Sequence, residues 1–228
     1  MPPENQPGLD RRALIRRMAV GGAVVWASPM MQSVASAQAA ASCGTGLLDW
    51  DSFATGVIFS STVIGTTTVS ISGVAAPGTT LFASNRQVTA GPAGGVNEKY
   101  LRFEMLPNAT GRSQTITISF SNPVTNLSFN LFDIDAVTNG WRDELFINAP
   151  GYNWSFPVGS TVSKGSGGNI NRFRNSNTNN NAPNASNAGN VQLGHAGPIS
   201  TFVITYTNGN QSGGGNQWIG MSDISFQC

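Results

Sequence analysis

The chain has 228 residues, of which only 10% are charged while 39% are apolar and 27 are glycine. That apolar share excludes a disordered chain, and the length suffices for one β-sandwich or barrel core without metals or several disulfides. Net charge is +1, but Arg11, Arg12, Arg16 and Arg17 stand near the start against Glu4 and Asp10, so the rest carries eight basic and nine acidic residues. This near-neutral balance excludes the electrostatic footprint of a nucleic-acid binder and the Lys/Arg cluster that an anionic membrane attracts.

Residues 10–17 read Asp-Arg-Arg-Ala-Leu-Ile-Arg-Arg. Paired arginines followed by aliphatic residues resemble the bacterial twin-arginine export signal, which implies passage across the membrane in folded form. The uncharged stretch from Met18 to Met31 is too short for a helix to cross a hydrocarbon core of about 30 Å. Ala37-Gln38-Ala39 then matches the A-x-A pattern of signal peptidase. We expect a signal peptide over 1–39, cut after Ala39, with the twin-arginine translocase and signal peptidase as partners during export. The rival readings are an ordinary secretory signal with an incidental arginine pair and a lipid anchor on Cys43. The anchor reading lacks the usual Leu three places upstream. No later apolar segment reaches 18 residues, so no membrane span is expected after cleavage.

Cys43 and Cys228 are the only two cysteines. An oxidising exterior favours pairing them. Closing a loop of about 185 residues is worth roughly 5 kcal/mol in the chain-entropy picture, and the bond would hold both ends of the domain. It requires the first and last strands to be neighbours. The alternative is two free or intermolecular thiols.

From residue 40 onward, apolar residues recur at every second position, as in strands with one buried and one wetted face. Val69 and Ile71 lead the pattern, followed by Leu101, Phe103 and Met105, then Ile116, Ile118 and Phe120, then Leu127, Phe129 and Leu131. Trp154, Phe156 and Val158 continue it, with Phe202, Ile204 and Tyr206, and Ile224 and Phe226 last. Turn residues punctuate these runs: Pro77-Gly78, Gly91-Pro92, Asn122-Pro123, Asn139-Gly140, Ala149-Pro150-Gly151 and Gly197-Pro198. Asn122-Pro123 is read as a turn between strands near 115–121 and 124–134. About nine or ten short strands point to an all-β fold, a two-sheet antiparallel β-sandwich of jelly-roll type over 40–228. An immunoglobulin-like sandwich fits less well, because the cysteines are terminal. Two segments hold almost no apolar residues, 169–190 with ten asparagines and 208–217; both are expected to be mobile loops.

The segment Phe132-Asp133-Ile134-Asp135, with Trp141-Arg142-Asp143-Glu144, is the richest in chemistry. The phase set by Leu127 would turn Asp133 and Asp135 inward, yet Phe132 and Ile134 are apolar in the opposite phase. Either both faces are covered there or a bulge shifts the register. A buried carboxylate needs a partner. Arg142 paired with Asp133 or Asp135 is one answer. Calcium held by Asp133, Asp135, Asp143 and Asp223 is the other, since Ca²⁺ takes six to eight oxygens. The chain has no other cofactor signal. Its single histidine, His195, sits in a turn, no G-x-S-x-G elbow is present, and Glu98, Glu104 and Glu144 are the glutamates a glycosidase would draw on. Trp141 and Trp218 border polar loops and are expected to be the exposed aromatic pair, able to stack on a sugar ring, while Trp50 and Trp154 are read as packing residues.

The stretches 124–135, Trp141-Arg142-Asp143-Glu144-Leu145 and 219–226 resemble secreted bacterial β-sandwich modules of adhesin-like surface proteins. That resemblance implies an extracellular or cell-surface location and no activity. The leading expectation is therefore a secreted, non-enzymatic binding or adhesion module, with a surface glycan or protein as partner. A calcium-stabilised carbohydrate-binding domain and a polysaccharide hydrolase are the alternatives.

Overall fold

In a computed structural model, the described residues are 44–106, 109–179, 181, 183–209 and 216–228. The signal segment over 1–39, with Arg11, Arg12, Ala37 and Ala39, lies outside them, as does Cys43. No helix among the described residues is long and apolar enough to cross a membrane. They form fifteen strands: β1 Thr45–Leu48, β2 Ser61–Ile64, β3 Thr67–Ala75, β4 Thr80–Leu81, β5 Gln87–Thr89, β6 Tyr100–Leu106, β7 Ser113–Phe132, β8 Asp143–Ile147, β9 Tyr152–Ser155, β10 Val162–Lys164, β11 Arg172–Asn175, β12 Val191–His195, β13 Ile199–Asn208, β14 Gln217–Met221 and β15 Ile224–Gln227.

Strand β7 organises the rest. Its first half pairs with β3 on one side and β13 on the other. β2 extends that sheet beyond β3, and β8, β11 and β10 extend it beyond β13. Its second half lies in the other sheet, between β12 and the bent ribbon of β14 and β15. β9 borders β12, β1 borders β15, and β6 with β4 and β5 borders β14. All these pairings are antiparallel. The two layers meet face to face: Phe120 packs on Phe226 at 5.3 Å between ring centroids, and Phe129 on Phe202 at 5.4 Å. Edge-to-face packing of this kind adds to the area the rings bury. The chain is thus an all-β sandwich.

Three expectations need correction. Asn122-Pro123 is not a turn between two strands; β7 runs through it for 20 residues. Ser121, Asn122 and Pro123 are exposed where the strand leaves one sheet for the other, and β13 slips register between Ile199 and Thr201 at the same place. A proline is tolerated there because the interrupted ladder does not use its missing N–H. Asn126 then takes φ 50°, a left-handed conformation that asparagine accepts better than most residues. The buried set passes from Ile116, Ile118, Phe120 and Val124 to Leu127, Phe129 and Leu131, so both halves of β7 face the same core.

Second, 169–190 is not one loop. It contains β11, whose Phe173 is buried against Tyr152, Trp154 and Phe156. A sheet edge is recruited by main-chain hydrogen bonds, so one anchoring aromatic suffices among asparagines. Asn208 likewise ends β13 and Gln217 begins β14, while 210–215 lie outside the described residues. Third, the strand count exceeds nine or ten because β1, β2, β4, β5 and β10 are too short to show alternation in sequence.

The first and last strands are neighbours, with Thr45 opposite Gln227, and no cysteine among the described residues is free.

Gly220 of β14 sits where β7 ends, and a Cβ there would lie 2.0 Å from Cε2 of the buried Phe132. Gly220→Ala is expected to cost about 1–3 kcal/mol, read as a lower urea midpoint at constant slope. Gly44→Ala, with nothing within 4 Å, is expected to stay within about 0.5 kcal/mol.

Candidate functional site

The end of β7 loses its alternation. Leu131 and Phe132 are both buried, on opposite faces: Leu131 in the main core and Phe132 against Ala93, Tyr100 and Trp218. Asp133 takes φ 65°, which resets the phase, and Ile134 is fully buried with its N–H donated to Gly189 O. The first of the two sequence alternatives holds, since both faces are covered, and the change of phase comes from the left-handed Asp133 just after the strand.

The chain then turns at 137–140, where Gly140 N–H donates to Val137 O and Asn139 has φ 58°. It returns beside itself, Asp143 N–H donating to Asp135 O at 2.9 Å. On this returning segment side chains alternate. Trp141 and Asp143 go to one face, and Arg142 and Glu144 to the other.

Asp143 is completely buried. Its Oδ1 accepts from Tyr206 Oη and from Gln217 Nε2, both at 2.6 Å, and its Oδ2 accepts from Asp135 N at 3.0 Å. Burial, then the charge of Asp135, pushes its carboxyl well above the usual range, against the pull of the Tyr206 hydrogen bond. Burial and Asp143 in turn push the Tyr206 phenol up. These groups form a polar hub beneath the surface, in which the hydrogen bonds converge on the Asp143 carboxyl while Gln217 Oε1 stays unpartnered among the described residues.

Asp135 Oδ1 accepts from Trp141 Nε1 at 3.2 Å. Asp133 is different. It is only 8% exposed, yet it accepts no hydrogen bond from any described residue. Burial, then Asp135, raises its pKa to about 8, with Arg102 opposing. Asp133, Asp135, Trp141 and Trp218 line one cavity of about 70 Å³ with Asn181, Asn184 and Asn216. Trp218 is held by stacking on Tyr100 at 5.8 Å, and the Arg102 guanidinium lies 4.9 Å from its ring centroid. Both indoles are half-buried.

The structure thus brings together Asp133, Asp135, Trp141 and Trp218. Asp143 lies beneath them, fully buried against Asp135, and is not part of the cavity lining. Asp223 stands apart at the bend between β14 and β15, where it accepts from Trp50 N at 2.9 Å, while Trp50 Nε1 donates to Ser222 O. The four-aspartate set therefore does not converge. Among the described residues, no group of three or more His, Cys, Asp or Glu is placed to hold a metal. The expected pairing of Arg142 with Asp133 or Asp135 does not form either. Strand alternation sends Arg142 to the opposite face, where Nη2 donates to Asn175 O at 2.9 Å.

The three glutamates have separate neighbourhoods. Glu104 takes Arg102 at 2.8 Å and the Ser84 hydroxyl, Glu144 faces Arg174 at 3.3 Å, and Glu98 is exposed. His195 staples a turn, its ring nitrogens 3.0 Å from Gly197 O and 2.9 Å from Pro150 O. The most exposed described tryptophan is Trp154, at 42%, with Lys164 Nζ 5.0 Å from its ring centroid. The sequence read it as packing, because its period-2 run looks like a core strand, but β9 lies at a sheet edge. The cavity asparagines were missed because an asparagine-rich segment gives no periodicity.

No family model matches the chain, and no curated protein matches it. Among solved structures it is similar to the adhesin domain of PrgB from Enterococcus faecalis, with a TM-score of 0.37 and 12% identity over 68% of this chain. The chain spans 56% of that one. A likeness this low transfers no function.

Tyr206→Phe removes one donor and leaves the Asp143 carboxyl buried. A loss of about 1–3 kcal/mol is expected, measurable by urea unfolding. A change under about 0.5 kcal/mol would show that Tyr206 does not support the hub.

Proposed function

We propose that the chain is an exported, non-catalytic surface-binding module that takes the edge of a sugar ring at the Trp141–Trp218 cavity. The observation that carries this is the convergence of two indoles with two carboxyls and three side-chain amides at one small opening. Indole faces suit the C–H faces of sugars, and carboxyls and amides suit their hydroxyls. A cavity of about 70 Å³ admits one edge of a terminal residue, not a chain. The near-neutral charge of the domain fits a neutral glycan better than a polyanion.

Location follows from the leader. Residues 1–39 direct export by the twin-arginine route, and the domain acts outside the cytoplasm, secreted or at the cell wall. Cys43 and Cys228 form the bond that closes it, a reading supported by the β1–β15 pairing. Replacing Arg11 and Arg12 together by Lys is expected to hold the chain in the cytoplasm. Intact mass of the exported protein is expected to show Ala40 as first residue and two hydrogens fewer than the reduced form. Two free thiols would contradict the bond.

On a glycan array, wild-type protein is expected to mark a restricted set of glycans. Trp141→Ala and Trp218→Ala are each expected to weaken retention about 10-fold, the loss of roughly 1.4 kcal/mol of stacking. Silence on every glycan, or unchanged binding by both variants, overturns the proposal.

A further inference from the structure

We infer that the cavity at the end of β7 is a calcium site, with Asp133 and Asp135 as its anionic ligands and the side-chain oxygens of Asn181, Asn184 and Asn216 as neutral ones. It shares its cavity with the binding reading above and deepens it, since a bound cation would present open coordination positions to sugar hydroxyls between the two indoles.

The starting point is Asp133. A polar side chain more than nine-tenths buried is almost always hydrogen-bonded, and this one accepts from no described residue. Arg142, the expected partner, is engaged at Asn175. Arg102 is bonded to Glu104 at 2.8 Å and lies over Trp218. An unpaired, largely desolvated carboxyl with a second carboxyl nearby is unfavourable in itself. A cation between them would remove both the desolvation cost and the mutual repulsion.

The donor set selects the cation. Every side-chain donor named is an oxygen, from carboxyl or amide groups, and neither histidine nor cysteine lines the cavity. Such a set suits hard ions and gives no preference to zinc or copper. The ligands come from three separate segments, so strict octahedral geometry is not imposed. That favours Ca²⁺, which accepts six to eight oxygens in irregular arrangements, over Mg²⁺, which demands near-ideal geometry and keeps its waters. The volume of about 70 Å³ leaves room for the ion and bound water.

The full chain, stripped with chelator and dialysed, is titrated with CaCl₂ and separately with MgCl₂ by calorimetry, with tryptophan fluorescence as a second signal. One Ca²⁺ per chain is expected, at the sub-millimolar to millimolar affinity of extracellular modules, with Mg²⁺ at least about 10-fold weaker. Asp133→Asn is expected to weaken Ca²⁺ binding at least about 10-fold while melting no earlier than wild type in chelator. Asn184→Ala, at an exposed position, keeps the test open should the first variant fold poorly, and is expected to weaken binding several-fold. No saturable signal with Ca²⁺, equal affinity in Asp133→Asn and Asn184→Ala, or equally tight Mg²⁺ would overturn the site. Glycan binding that survives chelator in a protein without Ca²⁺ uptake removes the cation and leaves the binding reading. Ca²⁺ uptake with a silent glycan array does the reverse.

Discussion

One strand belongs to both layers of this sandwich, and the continuity of β7 constrains everything built around it. A strand of 20 residues that kept strict alternation would turn one of its halves inside out on changing sheets. The chain solves this with a bulge opposite Pro123 and a left-handed Asn126, so that Ile116–Phe120 and Leu127–Leu131 present apolar side chains to one shared interior. The aromatic contacts between layers, Phe120 with Phe226 and Phe129 with Phe202, exist only because that phase shift occurs. The closing pair of β1 and β15 rests on the same strand, since β15 pairs with its second half.

A second reset, at Asp133, ends β7 and creates the site. Phe132 is committed to the small cluster with Tyr100 and Trp218, and Leu131 to the main core. The residue after them, Asp133, takes a left-handed backbone and lines the cavity. The returning hairpin then sets Trp141 against Asp135 and buries Asp143 on Tyr206 and Gln217. The Asp143 carboxyl accepts from Tyr206, Gln217 and the Asp135 backbone and so holds the walls. Asp133, ten positions earlier, is buried without such support. The contrast between these two carboxyls separates scaffold from site.

Much of this was legible in the residues. Alternation from Leu101 to Phe226 gave the β-class directly, and the phase conflict over Phe132-Asp133-Ile134-Asp135 marked the place where the fold departs from regularity. Trp141 and Trp218 were singled out for their polar flanks, and they meet at that place. Other features left no local trace. A proline preceded by asparagine reads as a turn unless its pairing with β13, far along the chain, is known. Asp223 shares a residue type with Asp133, but its partner is the backbone of Trp50, a contact over 173 positions. Arg142 looked like the natural counter-ion because it is near in sequence, whereas strand alternation sends it to the opposite face. The asparagines of 181, 184 and 216 carry no periodicity, and only the closing of the sandwich brings them to Asp133.

The most direct measurement is a crystal structure of the protein grown with Ca²⁺, with anomalous scattering used to locate the ion. A peak is expected between Asp133 and Asp135, within about 2.3–2.6 Å of their oxygens, and framed by Trp141 and Trp218. Asp133 found bonded to Arg102 or Arg142, with no peak in the cavity, would contradict the claim that β7 ends by delivering an unpaired carboxylate into a binding site.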